Sequence, residues 1–341
     1  MVLIISGKGD PKLLNEYQEG DFSAYELHTG LYTESFFQEL FSLPKYITFI
    51  AVHNPSKIKV QESIYPFDLS APTPIGEESF RVFKKTIKLA KRVNAKIVVV
   101  HGAKYDLNQP KEEAFSLLAC RIKSLDLKDI ILCFETDALW HNTFYPQKSL
   151  LITEDDFIRL DQLLEGNLKI TADIEHLQIS FYFSRFIECI GGEKKFTEIY
   201  PPNNQIAFEI DIQRFIKQNN LTLPDQFKKK LASFFIKFKD KIEHIHLNGS
   251  DPFNFTFDPE TFLPLIGEHL PLGFEDETTK DRFDYNYLTQ LFYILPEKKR
   301  IHIVIEAWRK NSFEFIFQML KSKQFLTKHL EYYGPEPCFA N

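Results

Sequence analysis

"AKIVVVHGA" (residues 95–103) and "KDIILCFET" (128–136) decide the fold. Each is a continuous apolar run without the alternation of a half-exposed strand, and each stops at a polar residue, His101 in one and Glu135 in the other. Such runs are strands buried on both faces, the mark of a parallel sheet covered by helices. Between them lies "KEEAFSLLACRIKSL" (111–125), an amphipathic helical pattern, and before them "EESFRVFKKTIKLAKRV" (77–93), another. Strand, helix and strand in that order make one parallel crossover unit.

Outward from this pair the unit repeats. Apolar runs at Val2–Ser6, Ala24–Leu27, Ile47–Val52, Lys96–Val100, Asp129–Phe134, Leu168–Ala172, Ile242–Leu247 and Ile301–Ile305 make eight. Eight strand–helix units predict an α/β chain folded as a closed (β/α)8 barrel, with a doubly wound open sheet as the rival. A chain of 341 residues suits one barrel domain over 1–341. The rhythm breaks at 178–240, an enlarged insertion between strands six and seven. There "FYFSRFIECIGG" and "DQFKKKLASFFIKFKDKI" read as helices and "QIAFEI" (205–210) as an added strand. A second long loop, 249–280, follows strand seven and carries "GEHLPLGFEDE" over the expected active-site end.

Composition narrows the classes. Hydrophobic residues make up 44%, enough for a sizeable core, and 34 phenylalanines against 13 glycines point to aromatic packing. A net charge of −6 argues against a broadly basic nucleic-acid surface, although bound cations would add charge that the count omits. The four cysteines (Cys120, Cys133, Cys189, Cys338) are far apart, with no CxxC, and read as reduced thiols of a cytoplasmic protein. "MVLIISGKGD" is too short in its apolar run for a signal peptide, and no stretch is long enough to cross a membrane.

Catalytic groups of such a barrel sit at the C-terminal ends of the strands. Strand three ends at His53, strand four at His101 and strand five at Glu135. Strand six ends in "KITADIEHL" (169–177), giving Asp173 and His176; strand seven ends at His246 and strand eight at Glu306. A single strand-end acid could merely cap the next helix, but caps favour Ser, Thr and Asn over His. Six consecutive strands delivering His, Asp or Glu to one rim match what divalent metals need, zinc or manganese above all. His244 shares the inward face of His246 one layer deeper, where packing or support is expected, and His28 in "YELHTG" could line the rim. His141, His302 and His329 read as loop, strand and surface residues.

"AVHNP", "VVVHGA", "CFET", "ADIEHL", "HIHLNG", "HLPLG" and "VIEA" occur in an order that resembles the xylose isomerase-like TIM barrels (AP endonuclease family 2), over roughly residues 45 to 310. The metal site is similar to that of endonuclease IV. The resemblance implies a first ion on His53, His101 and Glu135, and a second on Glu135, Asp173, His246 and Glu306 with Glu135 bridging. It implies a third ion on His176 and His269, two to three in all. Two departures stand out. The family's further carboxylate for the third ion falls on Gly267, with Asp251, Asp258 and Glu268 as nearby substitutes. The aromatic residue that endonuclease IV inserts into DNA falls on Ser56, leaving Lys57 and Lys59 as the basic candidates beside the first ligand.

Two activities follow from the resemblance. One is divalent-metal-dependent phosphodiester hydrolysis, with abasic DNA as partner and Lys57 on the phosphate. The other is isomerisation or epimerisation of a small sugar or sugar phosphate, with Glu135 and Glu306 moving the proton next to the carbonyl and His176 on the substrate. A third class, a barrel turned to binding alone, has no need of so full a ligand set. The acidic charge and the altered DNA loops favour the isomerase, but the extra histidines His53, His101 and His269 are positive evidence and DNA loops vary easily, so the sequence reads first as the endonuclease IV-like hydrolase, with the isomerase or epimerase as the alternative.

Overall fold

The computed structural model describes residues 2–105, 109–138, 148–201, 205–252, 256–257, 264–266, 269–275, 280–296, 300–306 and 312–333. Eight parallel strands close into a barrel: β1 (Val2–Gly9), β2 (Tyr25–Leu27), β3 (Phe49–His53), β4 (Ile97–Val100), β5 (Ile131–Glu135), β6 (Lys169–Asp173), β7 (Ile242–Leu247) and β8 (Arg300–Ile305). Consecutive strands are neighbours throughout, and β1 closes the ring against β8 with Val2 opposite Arg300 and Gly7 opposite Ile305. The barrel anticipated from the alternating runs is the one formed.

Each strand feeds a helix: α1 (Pro11–Leu14), α2 (Glu34–Phe41), α3 (Pro74–Arg92), α4 (Lys111–Lys123), α5 (Glu154–Leu163), α6 (Ile174–Cys189), α7 (Tyr285–Phe292) and α8 (Ser312–Tyr333). Local chemistry sets their ends. α3 begins with Pro74, whose missing N–H costs nothing there, and ends with Lys91 and Arg92 against the negative end of its dipole. α5 opens on a capping box between Thr153 and Asp156. The buried face of α3 recurs at Ser79, Val82, Phe83, Thr86, Ile87 and Ala90, the spacing of one helical stripe.

One expectation fails in the insertion. "QIAFEI" begins the helix Gln205–Gln218 instead of forming a strand. Phe208, Ile212 and Ile216 are buried at intervals of four, while Ile210 is 52% exposed. The apolar period is therefore helical, and six residues were too short a window to reveal it. This helix stands between Glu193–Ile199 and Leu223–Phe238. Phe208 meets Phe183 and Phe186 of α6 at ring separations of 5.3 and 5.9 Å, so the phenylalanine excess is used partly to dock the insertion.

The barrel interior is divided. On the β3–β5 side, Ala51, Ile97, Val99 and Cys133 form a small apolar cluster of their own. On the other side the inward positions are polar: Ser6, Lys8, Glu26, Thr171, His244 and His246 are all buried. Among the described residues no helix is long and apolar enough to cross a membrane. His141, Asp258, Gly267, Glu268 and Cys338 lie outside the described residues.

Candidate metal centre

His53 is the last residue of β3, and two bonds set its ring. Nδ1–H donates to the Asn54 carbonyl at 2.8 Å, which leaves Nε2 facing Glu135 Oε2 at 3.1 Å. His101 follows β4 directly. Its backbone N–H donates to Asn54 Oδ1 at 2.5 Å, its carbonyl accepts from Asn54 Nδ2 at 2.9 Å, and its Nε2 lies 3.2 Å from Asp137 Oδ1. The turn at Gly102 has φ +94, and a Cβ there would come within 2.8 Å of the Phe67 carbonyl. Only glycine lets the chain leave β4 at that angle.

Glu135 ends β5 and is buried at the centre of the cluster. Its Oε1 is 3.1 Å from His246 Nδ1, so one carboxylate spans His53 and His246 from opposite sides. Asp173 ends β6 and does two things at once. Oδ1 accepts from the His176 backbone N–H at 2.9 Å and so caps α6, whereas Oδ2 is buried and accepts no hydrogen bond. Capping therefore leaves Oδ2 available as a ligand atom. His176 sits in the first turn of α6, where Nδ1–H donates to the Thr136 carbonyl at 2.8 Å.

His246 and Asp173 are directly opposite in the β6–β7 register. His246 Nδ1 lies 3.8 Å from Asp173 Oδ2 and 3.5 Å from Glu306 Oε1. Glu306 follows β8, its backbone N–H donating to the Leu247 carbonyl at 3.2 Å. Ligand atoms lie within 4.8 Å of one another in each of four sets: His53–His101–Glu135, Glu135–Asp173–His176, Asp173–His246–Glu306 and Glu26–His244–His246.

His269 stands apart from those sets. Its backbone is left-handed (φ +51), its N–H donates to Glu175 Oε1 at 2.8 Å, and its Nδ1 is 3.0 Å from Glu175 Oε2. Nε2 reaches within 3.4 Å of Glu306 Oε2. Asp251 has both carboxylate oxygens committed, to the Lys280 N–H at 2.9 Å and to Arg282 Nε at 2.7 Å. Lys57 is exposed on a ribbon (Lys57–Val60 with Ser63–Pro66), lining a 290 Å³ surface cavity with Lys59, Arg81 and Lys85. None of that cavity's lining residues belongs to the four sets.

Burial dominates the electrostatics, and the neighbours reverse it where charges meet. Burial alone would raise the Glu135 carboxyl, but the His246 and His101 charges, with a hydrogen bond from His246, hold it well below the ordinary range. Burial would lower His246, yet Glu26 and Glu135, against the opposition of Lys8, raise it to about 9. His53 is lowered by burial and by the Lys8 ammonium. Glu175 is pushed well above its ordinary value by burial and by the Asp173 charge.

Sequence reasoning missed Lys8, Glu26 and Glu175. Lys8 lay beyond the run taken as strand one, since β1 continues to Gly9. Its Nζ is 3.0 Å from Glu26 Oε1 and also pairs with Glu306. Glu26 could have been found from strand alternation, because it lies two before His28 and so shares its face. Glu175 carries no signal of its own in "ADIEHL"; only the fold brings it to His269.

The donor set fits a divalent cation. It combines imidazole and carboxylate groups in the mixture that zinc or manganese accepts. The buried Asp173 Oδ2 without a hydrogen bond is a group whose burial is costly unless something positive completes it.

No curated protein matches this sequence. Solved structures match over nearly the whole chain. A D-tagatose 3-epimerase-like protein aligns with TM-score 0.54 and 14% identity, covering 97% of this chain and 98% of its own. The 3-keto-D-glucoside 4-epimerase YcjR from E. coli aligns with TM-score 0.52 and 10% identity, covering 96% and 99%. An IOLI protein with a binding zinc atom aligns with TM-score 0.53 and 11% identity, covering 97% and 99%. At such identities the likeness is one of fold. A model of the xylose isomerase-like TIM barrel family matches residues 45–326, and the chain belongs to that family.

Proposed function

We propose that this protein is a divalent-metal-dependent isomerase or epimerase of a small sugar or sugar phosphate. The observation that carries the reading is the convergence of Glu135, Asp173 and Glu306 on His246 Nδ1, at 3.1, 3.8 and 3.5 Å. Glu135, Asp173, His246 and Glu306 would hold one cation. The names of the structural neighbours, sugar epimerases for the most part, support this reading over DNA cleavage. So does the depth of the site, where Glu135, Asp173, His246 and Glu306 are each at most 4% exposed. Such a floor suits a small polyol.

A bound divalent cation would polarise a substrate carbonyl and its neighbouring hydroxyl. The protein's own residues do the rest. Glu135 and Glu306 come from strands separated by β6 and β7, so their carboxylates approach a bound sugar from different sides. One takes the proton on the carbon next to the carbonyl, and the other returns a proton to the opposite face for epimerisation. His176, held by Thr136, and His269, held by Glu175, hydrogen-bond substrate hydroxyls and fix its orientation.

The His53–His101–Glu135 set favours a second reading. A second ion there would suit an endonuclease IV-like hydrolase acting on abasic DNA. One manganese-loaded preparation, assayed on a panel of ketoses and their phosphates and on an abasic duplex, separates the two. Sugar turnover that disappears in Glu306→Gln, without strand incision, is the expected outcome. Metal-dependent incision without sugar turnover would overturn it.

A further inference from the structure

Beneath the candidate metal centre lies a buried ionic chain that the proposed reaction does not use. Glu26, on β2, is fully buried. Its Oε2 accepts from His244 Nε2 at 2.8 Å and from His246 Nε2 at 3.1 Å. Its Oε1 is 3.0 Å from Lys8 Nζ, and the same ammonium pairs with Glu306. Glu26 is therefore held from three sides, by β1 and twice by β7. His246 is gripped through Nε2 from below, and only Nδ1 is presented to Glu135, Asp173 and Glu306.

We infer that Glu26 is a positioning residue for the metal centre: it fixes the His246 ring so that Nδ1 is the ligand nitrogen and strengthens that nitrogen as a donor. The inference rests on the metal-dependent reading above. A carboxylate accepting the far N–H of a ligating imidazole sets its tautomer and orientation and raises its basicity, and its loss typically costs about 10- to 100-fold in metal affinity. Lys8 completes the device. Its ammonium, 3.0 Å from Glu26 Oε1, gives the fully buried carboxylate an opposite charge. The ammonium also makes Glu26–His244–His246 an unfavourable cation site of its own, although their ligand atoms lie close enough.

The test is Mn2+ and Co2+ affinity by calorimetry on the full chain, with Co2+ visible absorption and the thermal midpoint as companion readouts. Glu26→Gln removes the charge and turns an amide N–H2 or a neutral oxygen toward Lys8. The expected result is an affinity about 10- to 100-fold weaker with an altered Co2+ spectrum. Glu26→Asp, which keeps the charge one methylene short, is expected to fall between Glu26→Gln and the wild type, and it carries the test if Glu26→Gln does not fold. His244→Phe leaves the Glu26–His246 bond in place and is expected to bind metal within about threefold of wild type. Wild-type affinity and spectrum in folded Glu26→Gln, or an equal loss in His244→Phe, would overturn the inference. Failure of the wild type to bind either cation would instead overturn the proposed function.

Discussion

Metal binding by this protein is expected to displace one proton per ion, and the donor of that proton is His246. Metal ligation requires the neutral imidazole, yet Glu26 and Glu135 raise His246 from 6.5 to about 9 in the metal-free protein. The free site therefore holds a proton at neutral pH where the cation must bind. A rise of that size corresponds to about 3 kcal/mol, so apparent metal affinity at pH 6.5 is expected to be about two orders of magnitude or more below its plateau above pH 9. An unperturbed histidine would cost about twofold at pH 6.5. Glu26 and Glu135, held well below the ordinary carboxylate range, contribute no competing proton there. Calorimetry with Mn2+ between pH 6 and 8, in buffers of different ionisation enthalpy, measures both quantities. Affinity is expected to climb about tenfold per pH unit, with about one proton released at pH 7.5. A flat affinity with no proton released would refute the assignment of His246 as a ligand through the nitrogen facing Glu135.

Three further outcomes follow from the same geometry. The metal-free protein is expected to have a bell-shaped stability profile: His28, His53, His244 and His302, whose folded values are lowered, lose their contribution as pH falls below 6.5, while His246 loses its own as pH rises through about 9. Thermal midpoints of chelator-treated protein across pH 5–10 check this, and a monotonic profile counts against it. Glu135→Gln is expected to lower kcat by about 10²–10⁴ and to reduce bound metal more than Glu306→Gln, since Glu135 belongs to two of the candidate sets; elemental analysis of both variants decides. Replacing His53 and His101 with alanine together is expected to leave one ion bound and sugar turnover within about tenfold, the worth of a hydrogen bond or so; loss of a second ion along with the double substitution would side with the hydrolase.

How far the sequence reached can be followed residue by residue. The barrel was legible because a strand buried on both faces leaves an uninterrupted apolar run, and eight such runs alternating with helical stripes admit few topologies. The rim residues His53, His101, Glu135, Asp173, His246 and Glu306 were legible for a related reason: each stands where an apolar run stops, and in a barrel every such stop faces the same end. "QIAFEI" was misread because a short apolar stretch has no measurable period until the next two turns are counted.

Other features depended on contacts distant in sequence. Glu26 meets His244 and His246 some 218 and 220 residues away, and His269 meets Glu175 across 94. No local pattern encodes such pairs, because they are set by barrel closure and by strand register, not by neighbours in the chain. The sequence by itself determined which residues end the strands and therefore which chemistry could gather at the rim. Only the tertiary structure decided which nitrogen of His246 faces Glu135, Asp173 and Glu306, that His269 is engaged by Glu175, and that Lys8 and Glu26 lie beneath the site, since ring orientation in a buried cluster is set by the hydrogen bonds that close around it.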